Sequence, residues 1–121
     1  IEDIANAFGI SKAHLLKSAR QMGQLGYLRT FRGRSGGVQL GMAPERIVIG
    51  EVVRTLEGSS EVVECFNPAT NTCPLIGECK LTGLFRQGLE AFFKELDTVT
   101  LADITRDSHA LRDRLPLLEV A

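Results

Sequence analysis

All three cysteines of this chain, Cys65, Cys73 and Cys79, lie within fifteen residues of one another. The segment that joins them contains two prolines, two asparagines and a glycine, residue types that break helices and favour turns. Several thiolates on a short non-helical loop are the usual ligands of a protein iron–sulfur cluster. The spacing therefore favours a 2Fe–2S or 4Fe–4S cluster with these three cysteines as its ligands.

Three other kinds of thiol chemistry remain open. A structural zinc site usually contains a CxxC pair, which this loop lacks, and the two histidines, His14 and His109, lie far from it in sequence. Two of the cysteines could form a regulatory disulfide. A cysteine nucleophile would need a histidine partner. Because no acid–base constellation accompanies the loop, the sequence predicts that the protein is not an enzyme.

A cluster with three cysteine ligands has an open fourth position. A carboxylate, a histidine, a group from a second subunit or a small molecule could fill it. Such a cluster is a reactive target for nitric oxide or oxygen, which suits a sensor. Cys79 directly precedes a helical segment, so the negative cluster would lie near a helix N-terminus, where the helix dipole favours it.

The first third of the chain predicts a helix-turn-helix. Apolar residues recur with a helical period from Ile1 to Phe8, Gly9 ends that helix, and the second helix runs from Ser11 to Leu25 with a basic exposed face. In this motif the start of the second helix contacts base edges in the major groove, although a plain helical hairpin would look similar. The candidate contacts on this helix are Ser11, Lys12, His14, Lys17 and Ser18.

A β-hairpin is predicted directly after the helix pair. Residues 27–31 and 38–40 are strand-like, and Arg32 and Arg34 lie among glycines in the turn between them. A hairpin in this position is a wing, and its arginines suit phosphates or a narrow minor groove. Residues 1–40 carry six Lys/Arg against two Asp/Glu, whereas the remainder of the chain is acidic. This basic first third favours a polyanion such as double-stranded DNA as partner.

The rest of the chain predicts helices at 49–57, 82–96 and 101–105, followed by a loose tail. The second of these has a wide apolar stripe, which favours a homodimer interface. The predicted fold class is mostly α with a small β-hairpin wing (α+β): a winged helix-turn-helix (1–58), a cysteine loop (59–80), a long dimerisation helix with a short helix (81–106) and a tail (107–121). No apolar run could cross a bilayer and no signal peptide is present, so we expect a cytoplasmic protein without a membrane partner.

Several motifs together resemble the BadM-type winged-helix iron–sulfur transcriptional regulators. The resemblance spans about Ile1 to Thr105. Besides the three-cysteine loop, it rests on Gly9-Ile-Ser11, His14-Leu-Leu-Lys17, Leu25-Gly-Tyr27, Arg32-Gly-Arg34-Ser-Gly-Gly37, Glu51-Val-Val and Leu101-Ala-Asp-Ile104.

The resemblance implies a homodimeric transcription factor that binds a palindromic operator, with the three cysteines as cluster ligands. It also implies a helix before Ile1 that can supply a carboxylate to the partner's cluster. The IscR branch has a ligand histidine where this chain has Thr82. The cysteine spacing looks like the iron-responsive RirA branch, whereas the second helix and wing look more like the nitric-oxide-sensing NsrR branch.

The leading functional hypothesis is therefore a cluster-dependent repressor released from DNA by cluster nitrosylation. An iron-availability regulator of the same fold is the alternative, and a cluster-free thiol-redox module is the third possibility.

Overall fold

The computed structural model describes residues 1–34, 36–58 and 61–115. The helices and strands follow in the order α1 (Glu2–Phe8), α2 (Lys12–Gln24), β1 (Leu28–Phe31), β2 (Gly37–Leu40), α3 (Ile49–Glu57), α4 (Lys80–Leu96), α5 (Leu101–Ile104) and α6 (His109–Arg114). Two short 3-10 turns lie at Pro44–Arg46 and Glu64–Phe66. No helix in these described ranges is long and apolar enough to span a membrane.

The chain divides into two compact units. The first comprises residues 1–47 together with the segment that starts at Thr100, and the second comprises Val48–Val99. The first unit contains α1, α2, the β-hairpin, α5 and α6. The second contains α3, the cysteine loop and α4.

Capping and turn residues set the limits of the first unit's helices. Gly9 ends α1 in the left-handed conformation, with φ 62°, which a glycine adopts without a steric penalty. Ser11 begins α2, and its hydroxyl accepts a hydrogen bond from the N–H of His14 at 3.4 Å. Ala5 of α1 and Ala19 of α2 are buried, so small side chains form part of the interior of this unit.

The hairpin of the first unit is antiparallel, with Leu28 opposite Leu40 and Phe31 opposite Gly37. It packs on α2 through β1. In the same unit, α5 contacts the Pro44–Arg46 turn. A capping box between Thr100 and Asp103 fixes the start of α5.

The second unit is a pair of helices with a long loop between them. α3 packs against α4. The N–H of Ile49 donates to the carbonyl of Val99 at 2.9 Å, so the two ends of this unit lie side by side. Phe93 of α4 is buried at 8% exposure.

The predicted fold class is confirmed: the chain is mostly helical with one two-stranded hairpin. One local expectation differs from the structure. α6 lies at His109–Arg114, where the sequence suggested a loose tail. The last part of that tail, 116–121, lies outside the described residues. The predicted functional division at 1–58, 59–80, 81–106 and 107–121 stays a prediction.

Candidate DNA-binding surface and cysteine site

One groove of the first unit is lined by basic side chains from both α2 and the hairpin. These are Lys12, Lys17 and Arg20 from the helix and Arg29 and Arg32 from the hairpin. All five are exposed. Within the described residues, the one carboxylate that lines the groove is Glu2, whose Oε2 lies 3.1 Å from Lys12 Nζ. An exposed pair of this kind contributes at most about 1 kcal/mol, so a phosphate could displace the glutamate.

Arg20 and Arg29 were not among the residues predicted from the sequence. A signal for Arg20 was present, since it follows Lys17 by three positions and therefore shares its helix face. Arg29 alternates with Leu28 and Thr30 on β1. Its place on the groove depends on how the hairpin packs on α2, which local sequence does not reveal.

The other predicted DNA contacts lie around this groove rather than in its lining. His14 and Arg34 are exposed and Ser18 is half-buried. The hydroxyl of Ser11 caps α2 by accepting a hydrogen bond from the His14 N–H. Whether these four residues touch DNA stays a prediction.

The turn of the hairpin needs its glycines. Gly33 has φ 104°, and the N–H of Gly36 donates to the Gly33 carbonyl at 2.9 Å. A Cβ on Gly36 would lie 2.7 Å from the carbonyl oxygen of Phe31, closer than real contacts allow. The turn therefore presents Arg32 and Arg34 on a backbone that only glycine can close.

The three cysteines are all half-buried and none forms a disulfide. Cys65 lies in the 3-10 turn, and its Sγ is 3.3 Å from Oγ1 of Thr82 on α4. Cys73 donates its backbone N–H to Oδ1 of Asn71 at 3.1 Å. Cys79 occupies the N-cap of α4 and donates its N–H to the carbonyl of Leu75 at 3.1 Å.

Further contacts fold the cysteine loop back on itself. Thr72 donates its hydroxyl to Oε2 of Glu64 at 3.2 Å, and these two residues are the immediate neighbours of Cys73 and Cys65. The Arg86 guanidinium lies 4.6 Å above the ring of Phe66. Phe66 is therefore bound to the first half of α4, and the segments around Cys65 and Cys73 are joined to each other.

The donor set of this loop fits an iron–sulfur cluster by its chemistry. The free groups are three thiols, and thiolates are the ligands such clusters use. Among the described residues, no group of three Cys, His, Asp or Glu side chains lies close enough to hold a single metal ion. The structure thus brings the loop to the start of α4 and leaves the role of the cysteines as ligands a prediction.

An ion pair joins the two helices of the second unit. Arg54 of α3 donates to both carboxylate oxygens of Asp97, at 2.6 and 2.7 Å. Its guanidinium also lies 4.7 Å from the centre of the Phe93 ring. The hydrogen bonds from Arg54 lower the pKa of the Asp97 carboxyl, and the positive charge of Arg54 adds to this effect. Gly50 provides the space, because a Cβ there would overlap the Asp97 carboxylate.

Residues 1–107 match the family described as Rrf2, iron-dependent transcriptional regulator. The HTH-type transcriptional regulator NsrR of Geobacillus kaustophilus is 47% identical over 115 residues, which cover 95% of this chain and 78% of the relative. NsrR of Bacillus subtilis is 42% identical over 119 residues, which cover 98% of this chain and 82% of the relative.

Solved structures agree with this assignment. CymR, the global cysteine regulator of B. subtilis, has a TM-score of 0.61 and 28% identity, covering 87% of this chain and 75% of that one. IscR of T. potens has a TM-score of 0.64 and 23% identity, and the match covers 92% of this chain and 71% of that one. This likeness shows the fold. The predicted family resemblance is confirmed, and the protein is a transcriptional regulator and not an enzyme. The chain belongs to the Rrf2 family of iron-dependent transcriptional regulators.

Proposed function

We propose that this regulator is a cytoplasmic, homodimeric repressor that holds an iron–sulfur cluster on Cys65, Cys73 and Cys79 and is released from a palindromic operator by nitric oxide. The observation that carries the proposal is the cysteine loop. Its three thiols are half-buried and free of disulfides, and the loop is tied to the start of α4. When bound, the cluster would supply iron with one position that lacks a thiolate, where nitric oxide can react.

Contact with DNA is assigned to the basic groove. The exposed cations on α2 lie beside those of the hairpin. One face of the protein can therefore contact the DNA phosphates both beside the major groove, at α2, and beside the wing. We place Lys12, His14, Lys17 and Ser18 at the bases and adjacent phosphates, with the N-terminal end of α2 at Ser11. Arg32 and Arg34 would contact phosphates or the minor groove at the wing.

Dimer formation is assigned to α4. This helix leaves Leu81, Leu84, Phe85 and Phe92 exposed. In the described part of the second unit, Phe93 is the one buried large apolar side chain. A 17-residue helix with so little of its apolar surface covered by its own chain is well suited to a second copy. Two-fold symmetry would then match a palindromic operator.

Nitric oxide is the proposed signal because the second helix and wing resemble the NsrR branch, and curated relatives at 40–47% identity carry that name. Iron availability is the second candidate. It is favoured by the spacing of the cysteines, which resembles the RirA branch. A cluster-free thiol switch is the third, since all three thiols are free to pair.

One set of measurements separates these functions. The full-length protein is purified without oxygen, its visible spectrum and its iron and sulfide contents are recorded, and operator binding is followed during a nitric oxide titration. We expect a coloured protein whose DNA affinity falls as nitric oxide is added. A coloured protein that ignores nitric oxide but follows iron supply would support the second candidate, and a colourless protein without iron that still binds its operator would overturn the proposal.

The Cys73→Ala variant tests the ligand assignment. Because Cys73 is held by bonds within the loop, we expect the variant to lose the cluster and keep its circular dichroism spectrum. A variant that retains iron and sulfide at the wild-type ratio would remove Cys73 from the ligand set. A variant that unfolds would show that this cysteine supports the structure instead.

A further inference from the structure

The three cysteines differ in what holds their sulfur atoms. Cys73 and Cys79 are held through backbone hydrogen bonds within the loop. Cys65, in contrast, makes a side-chain contact with a helix, since its Sγ lies 3.3 Å from the Thr82 hydroxyl. This distance is short for a hydrogen bond that involves sulfur.

A second contact joins the same part of the loop to the same helix. Phe66 follows Cys65 directly, and its ring lies 4.6 Å from the guanidinium carbon of Arg86. Thr82 and Arg86 are four residues apart and therefore share one face of α4. Two consecutive loop residues are thus bound to two consecutive turns of one helix face, in the first half of α4.

We propose that Thr82 and Arg86 are positioning residues that form a latch, in which the hydroxyl of Thr82 and the guanidinium of Arg86 hold Cys65 and Phe66 on α4. A thiolate carries no proton, so in any metal-bound state Thr82 must be the hydrogen-bond donor to the Cys65 sulfur. With this latch, a change in the bonding of the Cys65 sulfur acts directly on α4 through the Thr82 side chain. It rests on the proposed function only in taking Cys65 as a cluster ligand, because both contacts join groups of the chain itself.

The latch is tested first on the reduced, metal-free full chain. Limiting iodoacetamide is added, and peptide mass mapping gives the alkylation rate of each cysteine, with Cys73 as the internal reference. Thr82→Val keeps the shape but removes the hydroxyl. Loss of a hydrogen-bond donor by itself slows a thiol, because the donor favours the reactive thiolate, so a Cys65 rate that rises relative to Cys73 marks loss of the latch. We expect such a rise, of at most about the fivefold that corresponds to one net hydrogen bond. Thr82→Ser should restore the wild-type ratio.

Arg86→Gln separates a latch from a simple charge effect. Loss of a nearby cation by itself slows a thiol, because cations favour the reactive thiolate. Loss of the latch uncovers Cys65 and speeds its alkylation. The control is Lys80→Gln, which removes an exposed cation at the first position of the same helix. We expect faster alkylation of Cys65 in Arg86→Gln and no acceleration in the control. An unchanged or slower Cys65 rate in both Thr82→Val and Arg86→Gln would overturn the proposal.

A second readout uses the anaerobically loaded protein. Hydrogen bonds to ligand sulfurs help to set cluster reduction potentials, so Thr82→Val should lower the potential and Thr82→Ser should leave it at the wild-type value. Failure of the two proposals can be told apart. If the protein takes up no cluster, the proposed function fails, but the alkylation rates still test the latch. If Thr82→Val takes up a cluster normally and keeps the wild-type reduction potential and alkylation ratio, the latch is wrong and the proposed function is unaffected.

Discussion

At the scale of single residues, Asp97 has the most distinctive electrostatic environment in the second unit. Two hydrogen bonds from Arg54 lower the pKa of the Asp97 carboxyl, and the positive charge of Arg54 lowers it further by a smaller amount. In the unfolded chain, this carboxyl titrates at about pH 3.9. Since the folded pKa is the lower one, the pair stabilises the fold above that pH, and this contribution is lost as the pH falls through the folded pKa.

Asp97→Asn should therefore lower stability at neutral pH but matter less in acid. We expect the difference in free energy of unfolding between wild type and variant to shrink as the pH falls below about 4. Urea titrations of the metal-free protein at pH 6.5 and pH 3 would measure it. Asp103→Asn is a parallel case, because hydrogen bonds from Thr100 also lower the pKa of that carboxyl. A difference that is the same at both pH values would contradict the assignment for Asp97.

Residues whose roles are local could be predicted from the sequence, and residues with distant partners could not. The Ser11 cap and the clustering of the cysteines follow from neighbouring residue types. Arg54 and Asp97 are 43 positions apart, and Thr82 meets Cys65 across 17. No local pattern marks such pairs, because they exist only once α4 has packed beside α3 and the loop.

At the scale of elements, the repeat of apolar residues predicted the limits of a helix well where the repeat extended over two turns or more. It predicted α3 at its observed limits and α4 to within two residues at its start. α6 was missed because its six residues, His109–Arg114, are mostly polar and show no sustained period. The amphipathic stripe of α3 indicated that this helix packs but not against which element, so its contact with α4 was not predicted.

The packing of α3 on α4 depends on Gly50. A Cβ at this position would overlap the Asp97 carboxylate and lie 2.9 Å from the Asp97 backbone nitrogen. Gly50→Ala gains up to about 1 kcal/mol of helix propensity, and overpacking a well-packed site costs about 1–3 kcal/mol. Because the backbone atom cannot move aside as a side chain can, we expect net destabilisation of about 1–2 kcal/mol, measured by urea titration.

Gly83→Ala is the matched control for this prediction. Gly83 is an exposed helical glycine, and a Cβ there would meet no atom within 4 Å. It shares the polar face of α4 with Gln87, Glu90 and Lys94, so a dimer at the apolar stripe would not be disturbed. This variant should be stabilised by about 0.5–1 kcal/mol. Equal effects of the two substitutions would show that Gly50 is not needed for close packing.

At the scale of the whole molecule, the separation of charge along the chain sets how DNA binding should respond to salt. The net charge is −1, yet the first forty residues carry +4, and their cations line the groove. Each cation that contacts a phosphate releases counterions, so each should contribute about one unit to the slope of log affinity against log salt.

Arg29→Gln and Arg32→Gln should each reduce that slope by about one and weaken binding to operator and non-operator DNA alike. Arg34→Gln tests the exposed tip of the wing in the same way. Lys94→Gln, which removes an exposed lysine of α4, is the control and should leave the slope unchanged. Fluorescence anisotropy at several salt concentrations provides the measurement. If the three arginine variants kept the wild-type slope, the groove and wing could not be the phosphate-binding surface.

Assembly is the remaining property of the whole molecule, and Leu84 offers the most direct test. Its side chain is 60% exposed on α4, in line with Leu81 and Phe92. Leu84→Glu would place a charge in the proposed dimer interface, and an unpaired buried charge costs several kcal/mol, enough to separate most dimers at micromolar concentration. Gln87→Glu adds the same charge on the polar face of the helix. We expect sedimentation to show monomers for Leu84→Glu and dimers for Gln87→Glu, with operator affinity lost in the first alone. A dimeric Leu84→Glu would move the interface away from this stripe.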